Sequence, residues 1–250
     1  MPLFTRPKPI TKKTSDDPSM ALFDGEINVV NDYRFRGLSQ TNFKPAIQGG
    51  FKSDFFLGLH TENWNSSISK VSDNNPGVSA PTEMRVSGGY KNNYLDMDVG
   101  LLAYFYPVNG AANVNPRTTE LFLAKKLDYG AVKAECKASY SLTNLFGIPN
   151  SHGSLYPEAW ATYENEYARF TSHVGYQYVA SNTNGISNQS VYSYADWSVG
   201  MKSDIGSGVT LALEYVGTNA PKVNGKYTYA DPKGHNLGRA CALISLTKKF

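Results

Sequence analysis

A chain of 250 residues that is 41% hydrophobic, with a mean hydropathy of −0.38, contains no run near the roughly 18 consecutive apolar residues a membrane helix needs, so a helical membrane protein is excluded. The formal charge is +3 and the basic residues are scattered along the chain, which excludes nucleic acid as a partner. Abundant tyrosine (17), phenylalanine (12) and glycine (22) suit strands and turns, and a β-barrel stays open because only alternate residues of its strands face lipid.

Residues 1–22 read as a disordered N-terminal arm, rich in proline, lysine and aspartate. The arm shows no basic region followed by an apolar run, so no signal peptide is visible in this sequence. Residues 23–250 read as one all-β domain, a single antiparallel up-and-down transmembrane β-barrel of about twelve strands. From residue 26 the dominant signal is alternation with a period of two. Leu95, Met97, Val99, Leu101, Ala103 and Phe105 share one face, opposite Asp96, Asp98, Gly100, Leu102, Tyr104 and Tyr106.

The alternation places strands at 26–36, 45–53, 55–64, 83–91, 95–106, 117–127, 130–141, 156–164, 169–180, 193–203, 208–217 and 237–250. Most have the length of a tilted membrane strand. Short turns fall near Ser53-Asp54, at Asn92-Asn93, Asp128-Tyr129 and Asn165-Glu166, and at 205–207. Long connections at 37–44, 65–82, 107–116, 142–155, 181–192 and 218–236 alternate with them, as short periplasmic turns alternate with long extracellular loops in outer-membrane barrels.

Aromatics gather at both ends. Tyr33, Phe35, Trp64, Phe105, Tyr106, Tyr140, Tyr176, Tyr178 and Tyr215 lie toward the long loops, and Phe55, Tyr90, Tyr94, Tyr129, Tyr163, Tyr167 and Phe250 toward the short turns. Two interfacial belts are expected. The last strand carries Ala240, Ala242, Ile244, Leu246 and Phe250 on one face, with Lys248 the exception, and ends on an aromatic that reads as a signal for the barrel-assembly machinery. Cys136 and Cys241 fall on opposite faces and lack metal-ligand spacing.

The stretch from Asn31 to Gln40 (NDYRFRGLSQ), followed by Pro45-Ala46-Ile47-Gln48-Gly49-Gly50-Phe51, resembles the opening of the proteobacterial TorF-type family of porin-like proteins. Gly88-Gly89-Tyr90, Asp98-Val99-Gly100, Tyr104-Phe105-Tyr106-Pro107, Thr119-Glu120-Leu121, His173-Val174-Gly175-Tyr176 and Asp196-Trp197-Ser198-Val199-Gly200 follow in order, so the likeness covers about residues 26–250. Members of that family begin with a signal peptide, and this sequence departs there. The resemblance implies a porin-like barrel in the outer membrane of a Gram-negative bacterium.

If apolar faces meet lipid, the opposite faces line the lumen. The candidate pore-lining residues are Arg34, Arg36, Lys52, Glu62, Glu83, Arg85, Asp96, Asp98, Glu120, Lys133, Glu135, Lys137, Glu158, Asp196, Glu214 and Arg239, joined by Glu26, Asp32, Lys202, Lys249, His60 and His173. Such charges demand water or mutual pairing, because an unpaired ion in a dry core costs several kcal/mol. Arg34 and Arg36, two apart on the first strand, form either an anion-attracting ladder or ion pairs with acids on neighbouring strands.

Enzymatic material is sparse. His152 lies between Ser151 and Ser154 with no third partner, four histidines lack zinc spacing, Ser72 to Gly77 lacks a calcium-loop pattern, and residues 206–208 read as a turn. No enzyme, metal or cofactor is expected. The leading expectation is a channel for passive diffusion of small polar solutes or ions, with outer-membrane lipid and the assembly machinery as partners. The alternatives are a plugged structural or adhesive barrel acting through its long extracellular loops, a barrel-embedded hydrolase, and a soluble ligand-binding β-barrel.

Overall fold

The computed structural model describes residues 22–110 and 116–250. The N-terminal arm lies outside this set except for Leu22. Twelve long strands close into one antiparallel barrel: β1 Leu22–Val30, β2 Ala46–Asp54, β3 Leu59–Ser67, β4 Thr82–Asn92, β5 Met97–Phe105, β6 Thr118–Tyr129, β7 Val132–Ser141, β8 Leu155–Glu164, β9 Arg169–Gln177, β10 Tyr194–Gly206, β11 Val209–Thr218 and β12 Cys241–Lys249. Each pairs with its sequence neighbours, and β1 closes the ring on β12. The seam is short. Glu26–Val30 pairs with Ser245–Lys249, whereas β1 pairs with β2 along all of Leu22–Val30.

Alternation decides the faces. On β5, Val99, Leu101 and Phe105 are exposed outward while Tyr104 is buried inward. On β11, Leu211, Leu213 and Tyr215 point out while Val216 is buried. A soluble protein would cover such a band of exposed apolar side chains. Two outward lysines sit at its inner edge, where the Lys125 amine bonds the Leu95 carbonyl and the Lys248 amine the Ser207 carbonyl, so both charges reach back to the short-turn rim.

The inner belt is as expected: Phe55, Tyr90, Tyr94, Tyr129, Tyr163, Tyr167 and Phe250 are all exposed. The Phe250 backbone N–H donates to the Gly25 carbonyl at 2.9 Å, which ties the chain end to β1. The outer belt is thinner than the sequence reading. Phe105, Tyr140, Tyr176 and Tyr215 face outward, but Tyr33, Phe35, Trp64 and Tyr106 lie inside the barrel and Tyr178 is half-buried. Height along the barrel identified these residues as belt candidates, and the face each strand turned to the lumen overrode it.

Four strand ends differ by four or more residues, and one is the start of the first strand, which begins at Leu22, within the stretch read as the arm, rather than at 26. The first strand stops at Val30, and residues 32–36 leave the wall. The third begins at Leu59 because Phe56–Gly58 forms a tight 3₁₀ turn. The last begins at Cys241, and residues 237–240 belong to the final long loop, where Leu237 is fully buried. The outward face of β3 breaks the apolar band with Thr61, Asn63 and Asn65.

Candidate functional site

The site is the lumen, and its central element is the first long loop. Instead of rising into solvent, residues 31–45 fold inward. Arg34–Phe35 pairs with Leu38–Ser39 across a two-residue turn in which Arg36 (φ 47°) and Gly37 (φ 74°) both adopt left-handed conformations, as a type I′ hairpin requires. Gly37 has a second reason to be glycine. A Cβ there would lie 2.4 Å from Thr218 Cγ2 and 2.8 Å from Asp196 Cβ, so the turn is pressed against the wall at β10 and β11.

Three buried carboxylates hold this hairpin in place, Asp32 within the loop and Glu83 and Glu120 on the wall. Asp32 accepts from Arg34 Nε at 2.7 Å, Ser39 Oγ at 2.6 Å and Thr41 Oγ1 at 3.1 Å. Glu83 on β4, fully buried, accepts from the Tyr33 hydroxyl at 2.8 Å and the Tyr106 hydroxyl at 3.0 Å. Burial pushes both phenols well above the usual tyrosine range, so they stay protonated as donors. Glu120 on β6, also fully buried, receives one Arg36 nitrogen at 3.0 and 2.8 Å, while the other donates to Gln177 on β9 at 2.7 Å.

Aromatic contacts complete the seat. The Arg36 guanidinium lies 4.1 Å from the centre of the Tyr156 ring, and Phe35 packs edge-on against Tyr104 and Phe146. The Tyr194 hydroxyl donates to the Arg36 carbonyl at 3.0 Å. Arg34 donates to the Leu237 and Arg239 carbonyls at 2.8 and 3.1 Å and to Cys241 Sγ at 3.0 Å. Leu38, Ser39, Gln40 and Thr41 are buried. The hairpin is a plug in the outer half of the lumen.

Arg34 and Arg36 therefore do not form a ladder on the first strand. They sit in the plug, and each has a carboxylate partner. Asp96 lies in a short turn at φ 52° rather than on a strand, at the inner rim of the lumen. Arg239 lies in the last long loop rather than on a wall strand, with its guanidinium 4.0 Å over the Phe43 ring. Glu83 and Glu120 are inward but buried beneath the plug.

The remaining candidates surround an open inner half. Lys52, Glu62, Arg85, Asp98, Glu135 and Lys137 line one cavity of about 280 Å³. Lys133, Glu135, Lys137, Glu158 and Glu214 join Lys126, Arg169 and Lys202 around a second of about 790 Å³. Asp196 and Glu158 line a third that reaches the underside of the plug. Loose pairs cross the wall, with Lys137 to Glu158 at 3.7 Å and Lys126 to Glu135 at 3.8 Å, and His60 Nε2 meets Asp98 at 2.8 Å. Eight strands leave a filled interior and sixteen an aqueous channel, and twelve here give an open vestibule under a plug.

Sequence reasoning missed two lumen tryptophans. Trp64 carries the Arg85 guanidinium 3.7 Å over its ring, and Trp160 stacks on His173 at 3.8 Å. The parity of Tyr156, Glu158 and Trp160 on β8 was the available signal for the second. In the 142–154 loop, Ser151 and Ser154 are fully buried and bonded to loop backbone while His152 is exposed.

Above the plug, Lys70 opens a five-residue helix, α1 (Lys70–Asn74), and its backbone N–H donates to the Gln40 carbonyl at 3.0 Å. Burial pushes its amine down to about 8 from the usual 10.5, against an opposing pull from Glu83. A folded pKa below the unfolded one means that the cost is fully present below pH 8 and disappears as pH rises toward 10.5. Lys70→Met is expected to stabilise the fold by about 1 kcal/mol at pH 7 in thermal melts, with the gain lost near pH 10.5. A gain that persists at high pH would show that the ammonium charge is not its source.

The fold and lumen define a closed antiparallel barrel with a charged interior and an inward-folded loop. The chain belongs to the Gcw_chp family, described as a bacterial protein of unknown function, whose profile matches residues 14–250. The TorF-type likeness remains a resemblance. No curated protein matches. Among solved structures, the chain is similar to the COG4313 outer membrane channel from Pseudomonas putida F1, at 12% identity over 92% of this chain and 95% of that one, with a TM-score of 0.49. It is also similar to Salmonella typhi OmpF in complex with daunomycin (10% identity, 92% and 97% covered, TM-score 0.47). A third likeness is to the outer membrane phospholipase dimer of Salmonella typhi with bound calcium (12% identity, 90% and 89% covered, TM-score 0.46).

Proposed function

We propose that this protein is an outer-membrane channel of narrow bore, passing small polar solutes or ions by passive diffusion, with the 31–45 loop as its constriction. The observation that carries the reading is the 790 Å³ vestibule lined by five acids (Asp96, Asp128, Glu135, Glu158, Glu214) and five bases (Lys126, Lys133, Lys137, Arg169, Lys202). That many charges need water, and an exposed apolar band outside the same wall needs lipid. Outer-membrane lipid is then the solvent of the outward face, and the barrel-assembly machinery reads the last strand through Phe250. Equal numbers of acids and bases imply mild ion selectivity. We read the protein as a non-enzymatic pore that needs no cofactor.

A second reading, a plugged barrel that works through its outer loops, is favoured by the burial of Leu38, Ser39 and Thr41 in the plug. Planar-bilayer recording separates the two. Protein first shown to be folded, by a shift in gel mobility between unheated and boiled samples, is expected to give small, salt-dependent conductance steps. Silence from folded protein would overturn the channel reading and leave the plugged one.

A further inference from the structure

One strand of the outward surface is poorly suited to lipid. At mid-height the wall turns out Val99 and Leu101 on β5, Leu121 and Leu123 on β6, and Leu213 on β11, while β3 turns out Thr61, Asn63 and Asn65 in succession. Leu59, at the inner end of β3, pairs with the belt residue Tyr90. At about 3.3 Å per residue and a tilt of about 40°, Asn63 stands roughly 10 Å and Asn65 roughly 15 Å above that belt, in a band about 25 Å tall. Water cannot hydrate either carboxamide there. Another outward polar group at this depth is Ser172, a single hydroxyl, which its own backbone can satisfy.

The barrel satisfies the two amides only in part. Asn65 Nδ2 donates to Asn63 Oδ1 at 2.6 Å, and Asn63 Nδ2 donates to the Arg85 carbonyl at 3.3 Å. Among the described residues, the side-chain Oδ1 of Asn65 and one side-chain N–H of each amide have no bond within the barrel. The strip is flanked by Gly49, opposite Asn65, and Gly88, opposite Thr61, neither of which presents a side chain to a neighbour. Ile47, Phe51, Val86 and Tyr90, all exposed, form an apolar rim.

Taking the outward face as lipid-facing, we infer that β3 is the contact strand of a symmetric dimer, with a second copy of this chain seated on it. A two-fold axis along the membrane normal brings residues of equal height together. The strip is complementary in partial charge to itself, because each carboxamide offers a positive N–H edge and a negative carbonyl edge. Turned through half a revolution, the donors of one copy meet the acceptors of the other. Side-chain hydrogen bonds of this kind join membrane segments that apolar contact alone does not, and flanking small residues let the backbones approach.

Native mass spectrometry of the full chain released from detergent micelles is expected to give a dimer. Asn63→Leu combined with Asn65→Leu should give folded monomer, with the dimer dissociation constant raised at least a hundredfold. A second measurement does not depend on that variant folding. In a chain carrying Cys136→Ser and Cys241→Ser, Asn63→Cys should form a disulfide-linked dimer in lipid vesicles on mild oxidation, and Val174→Cys, six strands round the barrel on β9, should not. Wild-type monomer, a leucine variant that dimerises unchanged, cross-linking through Val174→Cys alone, or a partner of different sequence occupying β3 would each overturn the inference. Failure of the lipid reading would look different, as a monodisperse monomer that needs no detergent.

Discussion

Arg36→Ala is expected to widen the pore and weaken the fold together. Its guanidinium bridges β6 and β9, bonded to Glu120 on one and Gln177 on the other and stacked on Tyr156. Truncation leaves Glu120, fully buried, without its counter-charge, and breaking one side of such a pair costs about 3–5 kcal/mol. Single-channel conductance should rise several-fold. Adding Glu120→Gln removes the stranded charge, so part of the stability should return while the pore stays wide. Because both plug arginines are paired, Arg34→Ala with Arg36→Ala should change bore more than ion preference. Unchanged conductance and an unchanged melt in Arg36→Ala would show that the hairpin is not the constriction.

The second large effect tests the two faces of the wall. Leu101→Arg places a charge on the outward face at the middle of β5 and should cost about 2–4 kcal/mol. Leu211→Arg lies on the outward face too, but only two residues from the inner end of β11, so its cost should fall toward 0–1 kcal/mol, roughly that of an interfacial site. Glu214→Gln, facing the vestibule, should fold normally and alter only the lumen. Urea titration of vesicle-inserted barrel checks the ranking. Equal tolerance at positions 101 and 214 would mean that the outward face does not meet lipid.

The barrel was legible because a local rule governs it. Every wall strand must alternate, and a one-residue slip would invert its faces, so Val99 and Leu101 against Asp98 and Gly100 announce both strand and side. The plug was not legible for a related reason. Residues 32–36 alternate as well as any wall strand, and nothing within them says that the chain turns inward. That choice is made by partners distant in sequence: Glu120 lies 84 residues beyond Arg36, and Gln177 lies 141 beyond it. Gly37, just after that stretch, was the one local hint of a turn, and the structure puts both it and Arg36 at positive φ. The inward face was legible for most wall charges, though not for Trp64 and Trp160, and which charges line the open vestibule and which are sealed by the plug depends on where that loop goes.

The short seam gives the plug a second consequence. Asn31 continues the line of β1 beyond its last ladder pair, exchanging hydrogen bonds with the Ala242 and Ile244 backbone of β12, and Arg34 reaches the Leu237 and Arg239 carbonyls just before that strand. The loop that fills the outer half of the lumen therefore also clasps the first strand to the last. Those contacts exist only once both ends of the chain have met, so the clasp fastens at the end of assembly. A half-zipped sheet, open along one side, has no seat for the hairpin. Closure of the wall and seating of the plug are thus one event, and a lesion that loosens one should loosen the other.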